Sequence, residues 1–260
     1  RKNNFDIVID LQNNRLSHIL SYLSGCINRY GYDNGKFAFL LNHTIKDEKP
    51  PIDPVTHQFR ILKMLGIGLL DNSLELWPSI EDAKAIGDLL NAQWLSQAQK
   101  MAGINIGASK RWSSKRWPPE HLIRLCEGLE AKDIRVLITG AREEIPLANM
   151  LISSLKNTKI INACGKTSVN ELAVLIKKCQ VFISADSSPL HIASAVGTPF
   201  IALFGPTDYR RHLPPGKNYI VINKNLNCSP CYKTKCRTKP CMLEIDPAQV
   251  LAAVEKLLAG

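Results

Sequence analysis

Four short segments of this chain carry residue types that together can hold an anionic ligand. In the first, the apolar run Val181–Ser184 leads through Ala185 into Asp186, Ser187, Ser188, Pro189, Leu190 and His191. Ser or Asp before a helix, with Pro near its first turn, is a helix-start signal. Such an end either caps itself or presents its free N–H groups and positive dipole end to an anion. His191 falls about one turn in, within reach of a ligand held there. Capping plus a core-edge histidine is the simpler account of this segment taken alone.

The second segment is Gly107-Ala108-Ser109 followed by the basic run Lys110, Arg111, Trp112, Ser113, Ser114, Lys115, Arg116 and Trp117-Pro118. Small residues let backbone approach a phosphate, and lysine adds a point charge. A solvated basic loop is the alternative. The third, Phe204-Gly205-Pro206-Thr207-Asp208, is first of all a turn signal. The fourth, Thr139-Gly140-Ala141-Arg142-Glu143-Glu144, places two acids in a first helical turn. There they suit the macrodipole or can accept from ribose hydroxyls. Neither a G-x-G-x-x-G nor a G-x-x-x-x-G-K-[ST] pattern occurs. Each segment has an ordinary explanation, but all four follow strands of one domain, and a shared ligand explains them together.

The elements that must position these loops form a regular alternation. Strands are expected at Ile104–Ile106, Arg135–Thr139, Lys159–Asn162, Val181–Ser184, Phe200–Phe204 and Tyr219–Ile222. Helices are expected at 118–131, 143–155, 168–179, 189–196 and 247–258. Apolar strands of four to six residues between helices of ten to fifteen imply a parallel sheet covered on both faces. Ligands of such sheets bind beyond the carboxyl ends of the strands. Upstream, Phe5–Leu11 reads as a strand, and Leu16–Leu23 and Val55–Leu65 as helices. Tyr30-Gly31-Tyr32 opens a mixed stretch, and Lys46–Pro54 is a charged, proline-containing loop. The expected division is residues 1–95 for a first domain with too few strands and 96–260 for a complete second one. The chain begins with Arg1, and its opening strands are expected to lie upstream.

The sequence has 260 residues, a formal charge of +10 and 45% hydrophobic residues. This is ordinary globular composition. No apolar stretch approaches the ~20 residues that span a bilayer, and no secretory leader pattern is present. A cytoplasmic location is expected. The positive charge favours an anionic partner.

Of eight cysteines, Cys26, Cys126, Cys164 and Cys179 sit singly in apolar segments and read as small buried hydrophobes. The other four, Cys228, Cys231, Cys236 and Cys241, have the spacing C-x2-C-x4-C-x4-C. Four thiolates can close a tetrahedral structural Zn²⁺ site; free thiols and two disulfides are the alternatives, the latter disfavoured in a reducing compartment. Residues 209–243 hold eight Lys and Arg and no acid. A basic nucleic-acid-binding protein using this cluster is a competing reading, with affinity for single strands and steep salt dependence. Only Tyr232 supplies an aromatic inside the cluster, which argues against it and for no nucleic-acid partner.

The run Asp186-Ser187-Ser188-Pro189-Leu190-His191-Ile192-Ala193-Ser194-Ala195-Val196-Gly197-Thr198-Pro199, continued by Ala202-Leu203-Phe204-Gly205-Pro206-Thr207-Asp208, resembles the signature of the ADP-heptose:lipopolysaccharide heptosyltransferases, glycosyltransferase family 9. Lys115-Arg116-Trp117-Pro118, Gly165-Lys166-Thr167-Ser168 with Glu171-Leu172, and Phe5–Asn13 fit the same pattern. The resemblance implies a GT-B fold, two Rossmann-like domains facing a cleft, the first of them incomplete here and on the acceptor side. It implies inverting transfer of heptose from ADP-heptose to a lipid A-linked inner-core acceptor, with no cofactor required for catalysis. A GT-B enzyme using another nucleotide sugar is the runner-up. The lipid-linked, anionic acceptor implies contact with the inner face of the inner membrane. By position, Lys115 contacts the donor phosphate or sugar and is the catalytic candidate. Ser109, Glu144, Asp186, Ser187, Ser188, His191, Gly205 and Thr207 complete the donor set, with Glu143 the substitute for Glu144. The family has Gly where Ser188 stands. Its general-base Asp has no counterpart in these residues and is expected outside the chain; Asp10 ends a strand but does not match the motif.

Overall fold

The structure, a computed structural model, describes residues 4–46, 52–68, 71–91, 100–155 and 160–259. The chain divides into two compact units, Arg1–Asn72 and Ser73–Gly260.

In the first unit the described elements are β1 (Ile7–Ile9), α1 (Arg15–Leu23), β2 (Asn28–Asp33), β3 (His43–Lys46) and α2 (Pro54–Lys63). The three strands form a parallel sheet in the order β1-β2-β3. β1 is shorter than the expected Phe5–Leu11, because Asp10 turns the chain. Its Oδ1 accepts from the N–H groups of Gln12 and Asn13, both at 3.0 Å. β2 and β3 replace what reads in the sequence as a mixed stretch. Their stabilisation is partly aromatic: Tyr30 stacks on His43 at 4.4 Å and Tyr32 on His57 of α2 at 4.1 Å. Tyr32 is fully buried and its hydroxyl donates to the His57 carbonyl.

The second unit holds α3 (Ile80–Asn91), β4 (Met101–Asn105), α4 (Pro119–Glu130), β5 (Arg135–Thr139), α5 (Ile145–Ser154), β6 (Ile160–Asn162), α6 (Val169–Lys177), β7 (Val181–Ala185), α7 (Ser188–Ala195), β8 (Phe200–Phe204), α8 (Tyr209–His212), β9 (Tyr219–Asn223), α9 (Pro240–Leu243) and α10 (Pro247–Ala259). The expected strand residue Lys159 lies outside the described residues. The six strands are all parallel, in the order β6-β5-β4-β7-β8-β9. This is the doubly wound 3-2-1-4-5-6 arrangement, whose order reverses between β4 and β7. Alternate strand residues go to opposite faces. Ala102, Ile104, Val136, Ile138, Ile183 and Leu203 pack with α4, α5 and α10. Phe182, Phe200, Ala202 and Phe204 pack with α6 and α7 on the other face. Among the described residues no helix is long and apolar enough to cross a membrane.

The boundary differs from the expected 95/96 division. α3, placed by sequence in the first domain, joins the second unit. Its Ile86 and Leu90 are buried with Met101, Leu137, Leu175 and Cys179. Amphipathic spacing says that a helix has an apolar face but not which sheet receives it. Ile86→Ala is therefore expected to destabilise the second unit by roughly 2–5 kcal/mol, the usual cost of truncating a fully buried aliphatic side chain. Hydrogen exchange is expected to show weakened protection in β5 and α6 and unchanged protection in β2.

Candidate functional site

In doubly wound sheets the ligand crevice lies where strand order reverses, here at the carboxyl ends of β4 and β7, and the first two sequence segments leave the sheet there. Asn105, the last residue of β4, ties them together. Its Nδ2 donates to the Gly107 carbonyl at 2.9 Å and reaches Ser187 Oγ at 3.2 Å and Ser184 Oγ at 3.4 Å. The basic segment after β4 is not an open loop. Residues 110–115 form tight helical turns kinked at Trp112, and this places Lys115 beside β7.

Lys115 Nζ lies 2.7 Å from Asp186 Oδ2, and Thr207 Oγ1 donates to the same oxygen at 2.7 Å. The Lys115 and Asp186 side chains are only 14% and 9% exposed. The ammonium also sits over the Trp112 ring, 4.4 Å from its centroid. Three separate segments thus converge on one carboxylate oxygen. The start of α7 is not closed by a cap. Ser187 occupies the N-cap position, yet its hydroxyl makes no cap hydrogen bond and turns back to Ala185 O at 3.1 Å. The side-chain capping account of this segment therefore does not hold. Pro189 has no N–H and the Leu190 N–H donates to Ser187 O at 3.0 Å, which leaves the Ser188 N–H at the positive end of the dipole. Ser188 is exposed at the first helical position. His191 is half-buried. Burial lowers its pKa, as do His212 and Lys115, while Asp186 opposes them.

A second opening lies beyond β5 and β6, lined by Gly140, Ala141, Arg142, Glu143 and Gly165–Ser168. Glu144 does not point into it. Its carboxylate is buried, accepting from the Ala141 N–H at 3.0 Å and from Arg116 at 2.9 Å. Arg116 also donates to Ala108 O at 3.1 Å. Glu144 thereby joins the β4 loop to the β5 loop. A side chain at Gly107 would meet the Glu144 carboxylate carbon at 2.7 Å, which explains glycine there. Glu143 stands exposed, 3.3 Å from Lys110. Ser109 is exposed and starts the kinked turns.

After β8, Gly205 is buried, and a Cβ on it would meet Met242 Sδ at 2.5 Å and Cys241 Sγ at 3.0 Å. Its requirement for glycine comes from α9, not from the crevice. Thr207 faces Asp186 as described. Asp208 caps α8 and is held by Arg210 at 2.8 Å. The Arg210 guanidinium keeps the Asp208 carboxyl below its ordinary range.

All eight cysteines are free thiols, and the four singletons are buried as expected. Burial pushes the Cys126 and Cys164 thiols up to about 12. Among the described residues no three His, Cys, Asp or Glu side chains form a group that can hold a metal ion. Cys228, Cys231, Cys236 and Cys241 form no such group as they stand, although the other three thiols all act electrostatically on Cys241. Cys241 is buried on α9 while Cys228 is exposed, and Cys236 Sγ accepts from the Lys239 N–H at 3.3 Å. In the first unit, Asp10 is almost fully buried. One oxygen holds the turn and the other lies 3.5 Å from His18 Nε2. Its Oδ2, like His18 Nε2, is buried without a hydrogen-bond partner.

Sequence reasoning missed Asn105, Arg116 and His212 as site residues. A polar residue ending an otherwise apolar strand was the available signal for Asn105. Nothing in the local pattern marks His212.

Residues 1–242 match the family described as glycosyltransferase family 9 (heptosyltransferase). A lipooligosaccharide heptosyltransferase 2 of Campylobacter jejuni is 31% identical over 208 residues, covering 77% of this chain and 65% of that protein. This chain thus spans just under two thirds of that relative's length. The structure of a family 9 glycosyl transferase from Veillonella parvula covers 99% of this chain and 75% of its own, with a TM-score of 0.81 at 21% identity. E. coli ADP-heptose LPS heptosyltransferase II covers 98% of this chain and 77% of its own, with a TM-score of 0.72 at 22% identity. At these identities the structural likeness establishes the fold.

Two outcomes are expected from the geometry. In Arg210→Ala the Asp208 carboxyl titrates closer to its ordinary range, measurable by NMR. Because the folded value is depressed, its stabilising contribution is present above the unfolded value and lost as pH falls through the folded one. In the variant this contribution is smaller and its loss is complete at a higher pH. In native-state alkylation, Cys228 and Cys236 are expected to react while Cys126, Cys164 and Cys179 stay inert. Rates are expected to be the same with and without a chelator; strong acceleration by the chelator would reveal a metal on the cluster.

Proposed function

The chain belongs to glycosyltransferase family 9 (heptosyltransferase), and from that premise we propose that it transfers heptose from ADP-heptose to the inner core of a lipid A-linked lipopolysaccharide acceptor. The observation that carries the reading is the crevice at the β4/β7 reversal. There a half-buried lysine is paired with Asp186, whose carboxylate also accepts from Thr207, beside a helix start without a side-chain cap. This arrangement suits a diphosphate, which combines two negative charges with acceptors for backbone N–H groups. The opening beyond β5 and β6 is the natural place for the nucleoside, since nucleotides lie across the carboxyl ends of such strands. The names of similar proteins, a lipooligosaccharide heptosyltransferase and an ADP-heptose LPS heptosyltransferase, support the donor and the acceptor.

In this reading Lys115 and the Ser188 N–H at the start of α7 neutralise charge on the leaving diphosphate as the bond to the sugar breaks. The acceptor hydroxyl attacks the anomeric carbon from the other side, inverting it, as ADP leaves and the hydroxyl proton passes to a general base from outside this cluster. His191, one turn into α7, touches the diphosphate or the sugar. No resident metal enters this chemistry. The Asp186 carboxylate keeps Lys115 in place rather than acting as the base, because its Oδ2 already holds two donors. The acceptor being lipid-linked, the enzyme works at a cytoplasmic membrane face as a peripheral protein.

Calorimetry with ADP tests this site without needing turnover. Lys115→Ala is expected to weaken ADP binding by about 1.5–3 kcal/mol, the range for a hydrogen bond to a charged group. ADP is expected to bind more tightly than UDP or GDP. Unchanged ADP affinity in Lys115→Ala would remove Lys115 from the site, and preference for UDP or GDP would move the reading to another nucleotide sugar.

A further inference from the structure

His212 ends α8, the short helix after the Gly205–Asp208 loop. Its Nε2 is buried and has no hydrogen-bond partner. Buried polar nitrogens are nearly always satisfied, and one left open calls for an explanation. The groups acting on this imidazole are Asp186 and Lys115 from the crevice, with Asp208 and Arg211 from its own segment. His191 and His212 act on each other as well. The open nitrogen therefore belongs to the neighbourhood of the Lys115–Asp186 pair, although His212 follows a different strand.

Its position is held from two sides. Asp208 caps α8, and the Leu213 N–H donates to Tyr209 O at 2.8 Å. The Tyr232 ring leans on the imidazole at 5.8 Å and 59°. Tyr232 itself is fixed in the left-handed region at φ 53°. A non-glycine residue stays there only where its surroundings impose it. Here the imposing contacts are visible. The N–H groups of Cys231 and Tyr232 donate to Pro206 O at 3.0 and 2.8 Å, and Ser229 Oγ donates to Gly205 O. On the other flank Ser114 Oγ donates to Lys233 O at 2.7 Å, and the Ser114 N–H to Thr234 O at 3.2 Å. The Cys-rich segment is thus clipped both to the loop bearing Thr207 and to the turn bearing Lys115.

We propose that His212, positioned by Tyr232, is a second imidazole contact for the donor's diphosphate, alongside His191 and Lys115. The proposal rests on the crevice being a nucleotide-sugar site. An imidazole with a free nitrogen near a site that already carries Lys115 recognises phosphate oxygens by donating to them once protonated. Burial holds both histidines below their ordinary pKa. An arriving anion reverses that preference, so binding takes up protons and strengthens as pH falls.

The test uses ADP-ribose, whose two phosphates are both diesters and do not titrate near neutrality. Calorimetry between pH 5.5 and 8, in buffers of different ionisation enthalpy, reads affinity and proton uptake together. The intact protein is expected to bind more tightly toward pH 5.5 with net proton uptake. His212→Gln is expected to bind about tenfold more weakly at pH 5.5, the lower end of what a charge-assisted hydrogen bond contributes, and to lose part of the pH slope. Tyr232→Ala removes a ring that is 43% exposed and leaves the core intact; it is expected to shift affinity and slope in the same direction. Wild-type affinity and slope in His212→Gln, with Lys115→Ala still impaired, would overturn the His212 role and leave the site standing. Failure of the intact protein to bind either ADP or ADP-ribose would overturn the site and this role with it.

Discussion

The contact on which the second unit's chemistry depends is the 2.7 Å pair between Lys115 and Asp186. It forms between residues 71 positions apart, and only the reversal of strand order between β4 and β7 makes it local. Both partners are largely removed from water. Removing one partner of such a pair leaves the other charge uncompensated, at a cost of about 3–5 kcal/mol when burial is complete. Thr207 and the Trp112 ring add further constraints on the same two groups. The lysine is therefore presented at a fixed point beside an uncapped helix start, with little ordering left to do when an anion arrives. This is preorganisation in its simplest form.

Around that pair, apparent site residues divide into those that face a ligand and those that hold the loops in register. Glu144 and Arg116 bind the β4 loop to the β5 loop, and Asn105 binds the β4 loop to β7. Gly107 and Gly205 are small because Glu144 and α9 press against them. The chemistry of the crevice needs all of these, yet none has to touch a substrate. A change at Glu144 would disturb Lys115 through Arg116, its immediate neighbour in the chain.

Much of the second unit was legible because its physics is local in sequence. Phe200–Phe204 is apolar throughout and Val181–Ala185 is apolar but for Ser184, as burial on both faces requires. The loops after them carry Asp, Ser, Lys and Pro where a helix must begin. The first unit was harder to read. β2, Asn-Arg-Tyr-Gly-Tyr-Asp, has no apolar run and is secured by stacking of its tyrosines on histidines from β3 and α2. Such stacking leaves no period in the sequence. The helix Ile80–Asn91 was visible, but its allegiance to the second sheet depends on Leu137 and Leu175, far along the chain. His212 and Tyr232 were invisible for the same reason. Each is ordinary where it stands, and they acquire a role only when the Cys-rich segment folds back onto Pro206.

The central claim is that the carboxyl ends of β4 and β7 receive the donor's diphosphate. A crystal structure of the protein with ADP addresses it most directly. The account predicts diphosphate density within hydrogen-bonding distance of Lys115 Nζ and of the Ser188 N–H opening α7, with the nucleoside running toward Gly140 and Gly165. A diphosphate bound instead on the exposed lysines of residues 233–239, with Lys115 still closed on Asp186 and the α7 terminus empty, would contradict it.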